Sequence, residues 1–115
     1  MNHFRDEEFM CPCGCQGLPV RFFMETVDEV RRLAQIPFRI NSGFRCKDHN
    51  KAVGGKDRSA HVQGVACDVA CTTSSGRFKI VNSALSAGIT RIGIYKTFIH
   101  LDISVLNPQE VIWYG

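Results

Sequence analysis

The sequence of 115 residues contains neither a long hydrophobic run nor a run of basic residues. Its first eight residues include Arg5, Asp6, Glu7 and Glu8, and no apolar stretch long enough for a signal peptide or a membrane span follows them. The basic side chains are scattered and the net charge is only +3, which argues against a nucleic-acid-binding protein. We therefore expect a protein made in the cytoplasm, with no membrane span and no nucleic-acid partner.

Internal repeats and low-complexity linkers are also missing, and a chain of 115 residues leaves no room for a second domain. It is nevertheless long enough to bury a core without obligatory disulfides or metals. We expect one domain over residues 1–115, and we expect it to be a monomer.

The six cysteines do not predict a disulfide framework, because thiols stay reduced in the cytoplasm. Cys11, Cys13 and Cys15 are spaced more tightly than the ligands of a zinc knuckle, so we interpret them as free thiols. A second metal site, or a disulfide with a distant partner if the protein is exported, are the alternatives. We interpret the other three, Cys46, Cys67 and Cys71, as small apolar residues that fill space.

Hydrophobic periodicity predicts three helices and a small sheet. The helices are expected over Pro19–Ala34, with Val20 and Leu33 on its apolar face, over Lys47–Val53, and from Phe78 to Ala87, with Phe78 and Leu85 facing the core. The predicted strands are Phe38–Asn41, a strand around Asp68, a hairpin of Arg91–Tyr95 and Phe98–Ile103, and Val111–Tyr114, which forms an edge strand or packs on the core. This pattern is typical of an α+β domain with a mainly antiparallel sheet and helices packed on one side.

Asp68 is the residue that most needs an explanation, because its neighbours from Val65 to Ala70 are apolar. A carboxylate in such a strand is costly unless it meets a cation. His61 precedes it by seven positions, and Gly64 permits a turn that would bring the two side chains together. An ion pair between Asp68 and Arg45, Arg58 or Arg91 is the alternative.

A second histidine lies in the strand Phe98–Ile103. Because side chains alternate along a strand, His100 and Asp102 share one face, about 7 Å apart, while Ile99 and Leu101 face the core. A lone strand histidine is usually a packing residue, but here a second histidine and a carboxylate accompany it. Two histidines and one carboxylate leave the fourth position of a tetrahedral zinc open, as in catalytic sites.

The segment Ser59–Ala70, with its Ser-x-His-x-x-Gly-x-Ala-x-Asp pattern, followed by a later strand with His100, resembles the zinc D,D-carboxypeptidase family. This family includes VanY-type carboxypeptidases, VanX-type dipeptidases and phage L-alanyl-D-glutamate endopeptidases, and it shares a fold with the Hedgehog signalling domain. The resemblance extends to Ile40–Cys46 and His49–Gly55, to Gly93–Tyr95, and to Phe9–Cys15, which is similar to the start of small prophage members. It covers nearly the whole chain.

The resemblance implies a zinc metallopeptidase that hydrolyses peptidoglycan stem peptides, either as a D,D-carboxypeptidase or as an endolysin-type endopeptidase of a phage or prophage. It implies a Zn²⁺ held by His61, Asp68 and His100, and release to the cell wall through a holin. Arg45 resembles the arginine that holds a substrate carboxylate, and Ser59 is a further candidate for substrate binding. Their alternatives are an ion pair of Arg45 with Asp57 or Asp68, and a turn started by Ser59.

At the general base the sequence departs from the pattern of this family. Better-known family members carry an acid three positions, or a histidine two positions, before the last ligand, where this chain has Thr97 and Phe98. Asp102 is therefore our candidate catalytic base, or else a group that orients a ligand histidine. His49 is interpreted as a surface or packing residue. A zinc-stabilised binding domain that has lost its base is the alternative function.

Overall fold

The computed structural model describes all residues from Met1 to Gly115. Helix α1 (Arg21–Ala34) forms where apolar residues recur at helical spacing, and it buries Phe23, Met24 and Val27 along one stripe. Val20 and Leu33, which we expected on that stripe, are exposed. Val20 lies before the first turn as the N-cap, and Leu33 lies at the margin of the stripe.

Helix α3 (Ser74–Ser86) packs against α1 and buries Ile80, Ser83 and Ala84. The prediction that Phe78 and Leu85 face the core is wrong, since they are 72% and 54% exposed. At 100° per residue both lie on the side of the helix opposite Ile80 and Ala84. The apolar stripe of α3 is therefore narrower than its composition suggests.

Helix α2 (Lys47–Ala52) is a short helix that ends before Gly54, whose φ of +76° is the left-handed conformation expected at a helix stop. A 3₁₀ turn over Asp6–Phe9 precedes α1 and buries Phe9. None of the helices combines the length and the apolar character needed to cross a bilayer.

Five strands form one sheet in the order β1-β2-β4-β3-β5. They are β1 (Ile40–Ser42), β2 (Ala66–Ala70), β3 (Arg91–Ile94), β4 (Phe98–Asp102) and β5 (Val111–Tyr114). All neighbours are antiparallel except β3 and β5, which are parallel. The expected α+β class, the β3-β4 hairpin and the edge strand at Val111–Tyr114 are confirmed, and the parallel pair makes the sheet mixed.

The register of the sheet places the core residues and the candidate site residues in alternate rows, on opposite faces. One row across the strands places Asp68 opposite His100, His100 opposite Gly93, and Gly93 opposite Trp113. The adjacent row contains Cys67, Leu101 and Ile92, which are fully buried in the same apolar cluster as α1 and α3. Because alternate side chains point to opposite faces, the polar row lies on the face away from the helices.

The N-cap of α3 provides a test of this fold. Thr73 accepts a hydrogen bond from the Gly76 N–H at 3.0 Å, whereas the neighbouring Thr72 side chain is exposed and makes no hydrogen bond. Thr73→Ala should destabilise the domain by about 1 kcal/mol, or roughly 4–8 °C in Tm, and Thr72→Ala should change Tm little. Equal melting temperatures for the two variants, measured by circular dichroism, would contradict this capping role.

Candidate metal centre

His61 enters the site from the turn that leads into β2. Gly64, with φ of +78°, reverses the chain there, and His61 itself is only 3% exposed. Its ring nitrogen Nδ1 lies 2.8 Å from the carbonyl oxygen of Gly43. This contact directs the other nitrogen, Nε2, towards Asp68, whose Oδ1 is 3.4 Å away.

Asp68 and His100 face each other across β2 and β4 as register partners. The Nδ1 atom of His100 lies 3.0 Å from Asp68 Oδ1. One ligand atom from each of His61, Asp68 and His100 lies within 4.8 Å of the other two. The structure thus brings together the three side chains that the sequence predicts as metal ligands.

The donor set fits a zinc ion. Ligands about 2.1 Å from a tetrahedral zinc are separated from one another by roughly 3.4 Å, close to the 3.0 and 3.4 Å found here. Each histidine has its remaining nitrogen against an oxygen, Gly43 O for His61 and Asp102 Oδ2 for His100. Such outer contacts fix the ring orientation of metal-binding histidines.

The charges of the cluster also suit a cation. Burial raises the pKa of Asp68, but hydrogen bonds with His100 and His61 outweigh it and lower that pKa to about 2. Burial lowers the pKa of His100, but hydrogen bonds to Asp102 and Asp68 raise it to about 8. Without a metal, the carboxylates therefore favour a proton on His100, and a metal ion would take that proton's place.

No arginine pairs with Asp68, so the alternative of a structural ion pair at this carboxylate is wrong. Arg91 forms its ion pair with Asp102 instead, at 2.8 Å from Nε to Oδ1. Neither Arg45 nor Arg58 forms an ion pair with any carboxylate, which also removes the pairing of Arg45 with Asp57 or Asp68.

Asp102 lies behind His100 and is only 1% exposed. Its Oδ2 is 2.6 Å from His100 Nε2, and its Oδ1 accepts from Arg91 Nε and from the Ser104 N–H at 2.9 Å. Three contacts and near-complete burial therefore restrict the access of a water molecule to this carboxylate. Of the two roles considered for Asp102, this geometry favours orientation of His100, and general-base catalysis stays a prediction.

A cavity of about 460 Å³ opens over the three candidate ligands. Arg45 and Ser59 both line it, and Arg45 Nη2 donates to Ser59 Oγ at 3.1 Å. The Nε of Arg45 is buried and has no hydrogen-bond partner. Lys56 and Arg58 line the same cavity without an ion pair, so its border is cationic.

Sequence reasoning missed several residues of this site. Lys56 was not singled out, and Arg58 was considered only as an ion-pair partner of Asp68, because nothing local in the sequence indicates that they border a cavity. Tyr95 also lines the cavity, and its hydroxyl accepts from Trp113 Nε1 at 2.8 Å. The Trp113 ring lies 5.6 Å from that of His100 and covers Gly93, where a Cβ would come within 2.7 Å of the indole.

Comparison with known families agrees with this geometry. The sequence model of the family described as Peptidase M15 matches residues 2–102. The chain belongs to the peptidase M15 family. Curated proteins gave no significant match. M15 peptidases are zinc-dependent hydrolases, so the family indicates a metallopeptidase, and His61, Asp68 and His100 are the candidate zinc ligands of this M15 peptidase.

The ligand set can be tested by zinc content. We expect His100→Ala to lose one zinc per chain, because His61 and Asp68 alone leave a tetrahedral ion too few protein ligands. His49→Ala is the matched control, since His49 lies outside the cluster and should keep all its zinc. Elemental analysis measures both variants, and full retention of zinc by His100→Ala would contradict the assignment.

The orienting role of Asp102 predicts a defect in metal binding. Asp102→Asn should weaken zinc binding about 10- to 100-fold, the usual effect of removing a carboxylate that holds a ligand histidine. Asp57→Asn, a change of the same kind in an exposed loop, should leave the affinity unchanged. Competition with a chromophoric chelator measures both affinities, and an unchanged affinity for Asp102→Asn would return Asp102 to the list of candidate bases.

Proposed function

We propose that this M15 peptidase hydrolyses peptide bonds in peptidoglycan stem peptides, as a D,D-carboxypeptidase or as an endolysin-type endopeptidase. The observation that carries the proposal is the cavity in which three unpaired cations border the candidate zinc ligands. Stem peptides carry free carboxylates close to their scissile bonds, at the C-terminal D-alanine and at D-glutamate. A cationic border beside the metal would hold such a carboxylate while the neighbouring peptide bond faces the ligands.

Arg45 is the residue best placed to bind the carboxylate. It combines an unpaired charge with a buried Nε that has no partner, while Nη2 is held by Ser59. A guanidinium binds a carboxylate through two parallel hydrogen bonds, and an incoming oxygen would satisfy the orphaned Nε. Ser59 therefore acts on substrate by orienting Arg45, and it also accepts from the backbone N–H of His61.

The other residues of the site would have separate roles in hydrolysis. Zinc, when held by His61, Asp68 and His100, supplies a Lewis acid that activates water and polarises a carbonyl. Asp102 keeps His100 Nδ1 turned towards the metal position, and Arg91 keeps Asp102 in place. Tyr95 accepts from Trp113, which leaves its own hydroxyl proton available for a developing oxyanion in the cavity.

One observation favours the alternative of a zinc-stabilised binding domain. The only carboxylates that line the cavity are Asp68, between the two histidines, and Asp102, whose oxygens are both occupied. Glu110 borders a different cavity, beside Ile89 and Val111. Asp57 lies in the exposed loop between Lys56 and Arg58. It is the carboxylate to test as a general base, which would enter the site when substrate binds.

Purified peptidoglycan distinguishes the two functions. A carboxypeptidase releases free D-alanine, an endopeptidase creates new amino groups within the stem, and a binding domain sediments with the wall without releasing either. We expect release of one of these products, its loss after chelation and its return with zinc. Binding without any product would favour the alternative, and neither binding nor product would contradict both.

The role of Arg45 predicts a loss of activity without a loss of fold. Arg45→Ala should lower kcat/KM at least about tenfold, because a hydrogen-bonded charge contributes about 1.5–3 kcal/mol and 1.4 kcal/mol is a factor of ten. Its Tm should fall by only a few degrees, since it forms no ion pair. Arg39→Ala removes the same charge from an exposed strand-proximal position and should keep full activity. A collapse of stability in Arg45→Ala would show a structural role instead.

A further inference from the structure

A second cluster of metal-binding side chains lies outside the cavity. Cys11, Cys13 and Cys15 come from the loop before α1, and Cys46 comes from the N-cap of α2. Their four sulfur atoms all lie within 4.8 Å of one another, and none is paired in a disulfide. The interpretation of Cys46 as an apolar filler is therefore wrong, because its sulfur faces three other sulfurs.

The distances between these sulfurs match one small ion. Sγ of Cys13 lies 3.5 Å from Sγ of Cys11 and 3.5 Å from Sγ of Cys46, and the Cys11–Cys46 distance is 3.9 Å. Four thiolates placed 2.3 Å from a tetrahedral zinc are about 3.8 Å apart. The sulfurs of Cys11, Cys13 and Cys46 thus already lie near three corners of a zinc tetrahedron, and that of Cys15 lies within 4.8 Å of each.

We propose that these four cysteines bind a second zinc ion, which links the N-terminal loop to the start of α2. The four thiols would lose their protons to solvent as the ion binds, and no oxidant is involved. A closed set of four thiolates is typical of structural zinc, because it leaves no position open for water. This inference does not depend on the proposed peptidase function.

The backbone around the cluster suits thiolate ligands. The His49 N–H donates to Cys46 Sγ and the Gly17 N–H donates to Cys15 Sγ, both at 3.4 Å. Such donors stabilise the negative charge of a bound thiolate and orient it. The loop itself folds tightly because Gly14, with φ of +92°, takes a left-handed conformation between two of the ligands.

The position of the cluster explains what a second ion would do for the protein. Cys46 directly follows Arg45, and Gly43, whose carbonyl contacts the His61 ring, precedes it by three residues. On the other side of the cluster, the Phe44 N–H donates to Phe9 O, and a Cβ at Gly43 would collide with the Phe9 backbone. The cysteine site would therefore hold the segment that carries both Arg45 and the oxygen that orients His61.

Zinc content of the full chain, purified with reductant and added zinc, tests the proposal. We expect two zinc ions per chain in the wild type, one in Cys13→Ser/Cys46→Ser, and one in His100→Ala. Cys71→Ser is the matched control, because Cys71 lies outside the cluster and its Sγ bonds only to the Thr73 carbonyl, a contact that a serine can make. It should keep both ions.

Cobalt provides a second readout if the cysteine variant fails to fold. Co²⁺ bound by four thiolates absorbs strongly in the near ultraviolet through sulfur-to-metal charge transfer, whereas the histidine and aspartate site does not. We expect this absorption in His100→Ala loaded with Co²⁺, together with protection of the exposed thiols of Cys13 and Cys15 from a thiol reagent until a chelator removes the metal. Absence of the absorption, reactive Cys13 and Cys15 thiols in the metal-loaded chain, or a disulfide within the cluster of the reduced protein would each overturn the proposal.

Discussion

The contact between Asp68 and the two histidines is the interaction on which the rest of the site depends. A carboxylate that is mostly buried beside apolar neighbours needs partners to stay charged, and hydrogen bonds with His100 and His61 lower the pKa of Asp68 to about 2. Two imidazoles and a carboxylate directed at one point are better satisfied by a divalent ion than by a shared proton. The arrangement is therefore a candidate metal site whose three side chains already lie close to one another.

The sheet fixes the positions of Asp68 and His100 relative to each other. Antiparallel pairing sets Asp68 opposite His100, and a one-residue slip would move either side chain to the helix-covered face. Behind His100, contacts run to Asp102, from Asp102 to Arg91, and from Arg91 to the face of Trp113, 5.0 Å from the ring. Because Asp102 and Arg91 are neighbours in the sheet register, this support comes from rigid strands.

Much of this could be predicted from the sequence, because the signals were local. Alternation along Phe98–Asp102 indicated which side chains share a face. The isolated carboxylate of Asp68 in an apolar strand indicated that it meets a cation. The exposure of Phe78 could not be predicted, because it depends on how wide a stripe of α3 is covered by α1. The hydrogen bonds of Asp102 could not be predicted either, because they depend on the position of Arg91. The role of Cys46 could not be predicted either, because 31 positions of sequence separate it from Cys15 and only the fold brings them together.

The most direct test of the account is a crystal structure of the zinc-loaded protein with anomalous scattering recorded on both sides of the zinc edge. We predict a zinc peak about 2.0–2.2 Å from His61 Nε2, a carboxylate oxygen of Asp68 and His100 Nδ1, with His100 Nε2 still bonded to Asp102. A metal bound through His100 Nε2, or no zinc among these three residues, would contradict the proposed centre.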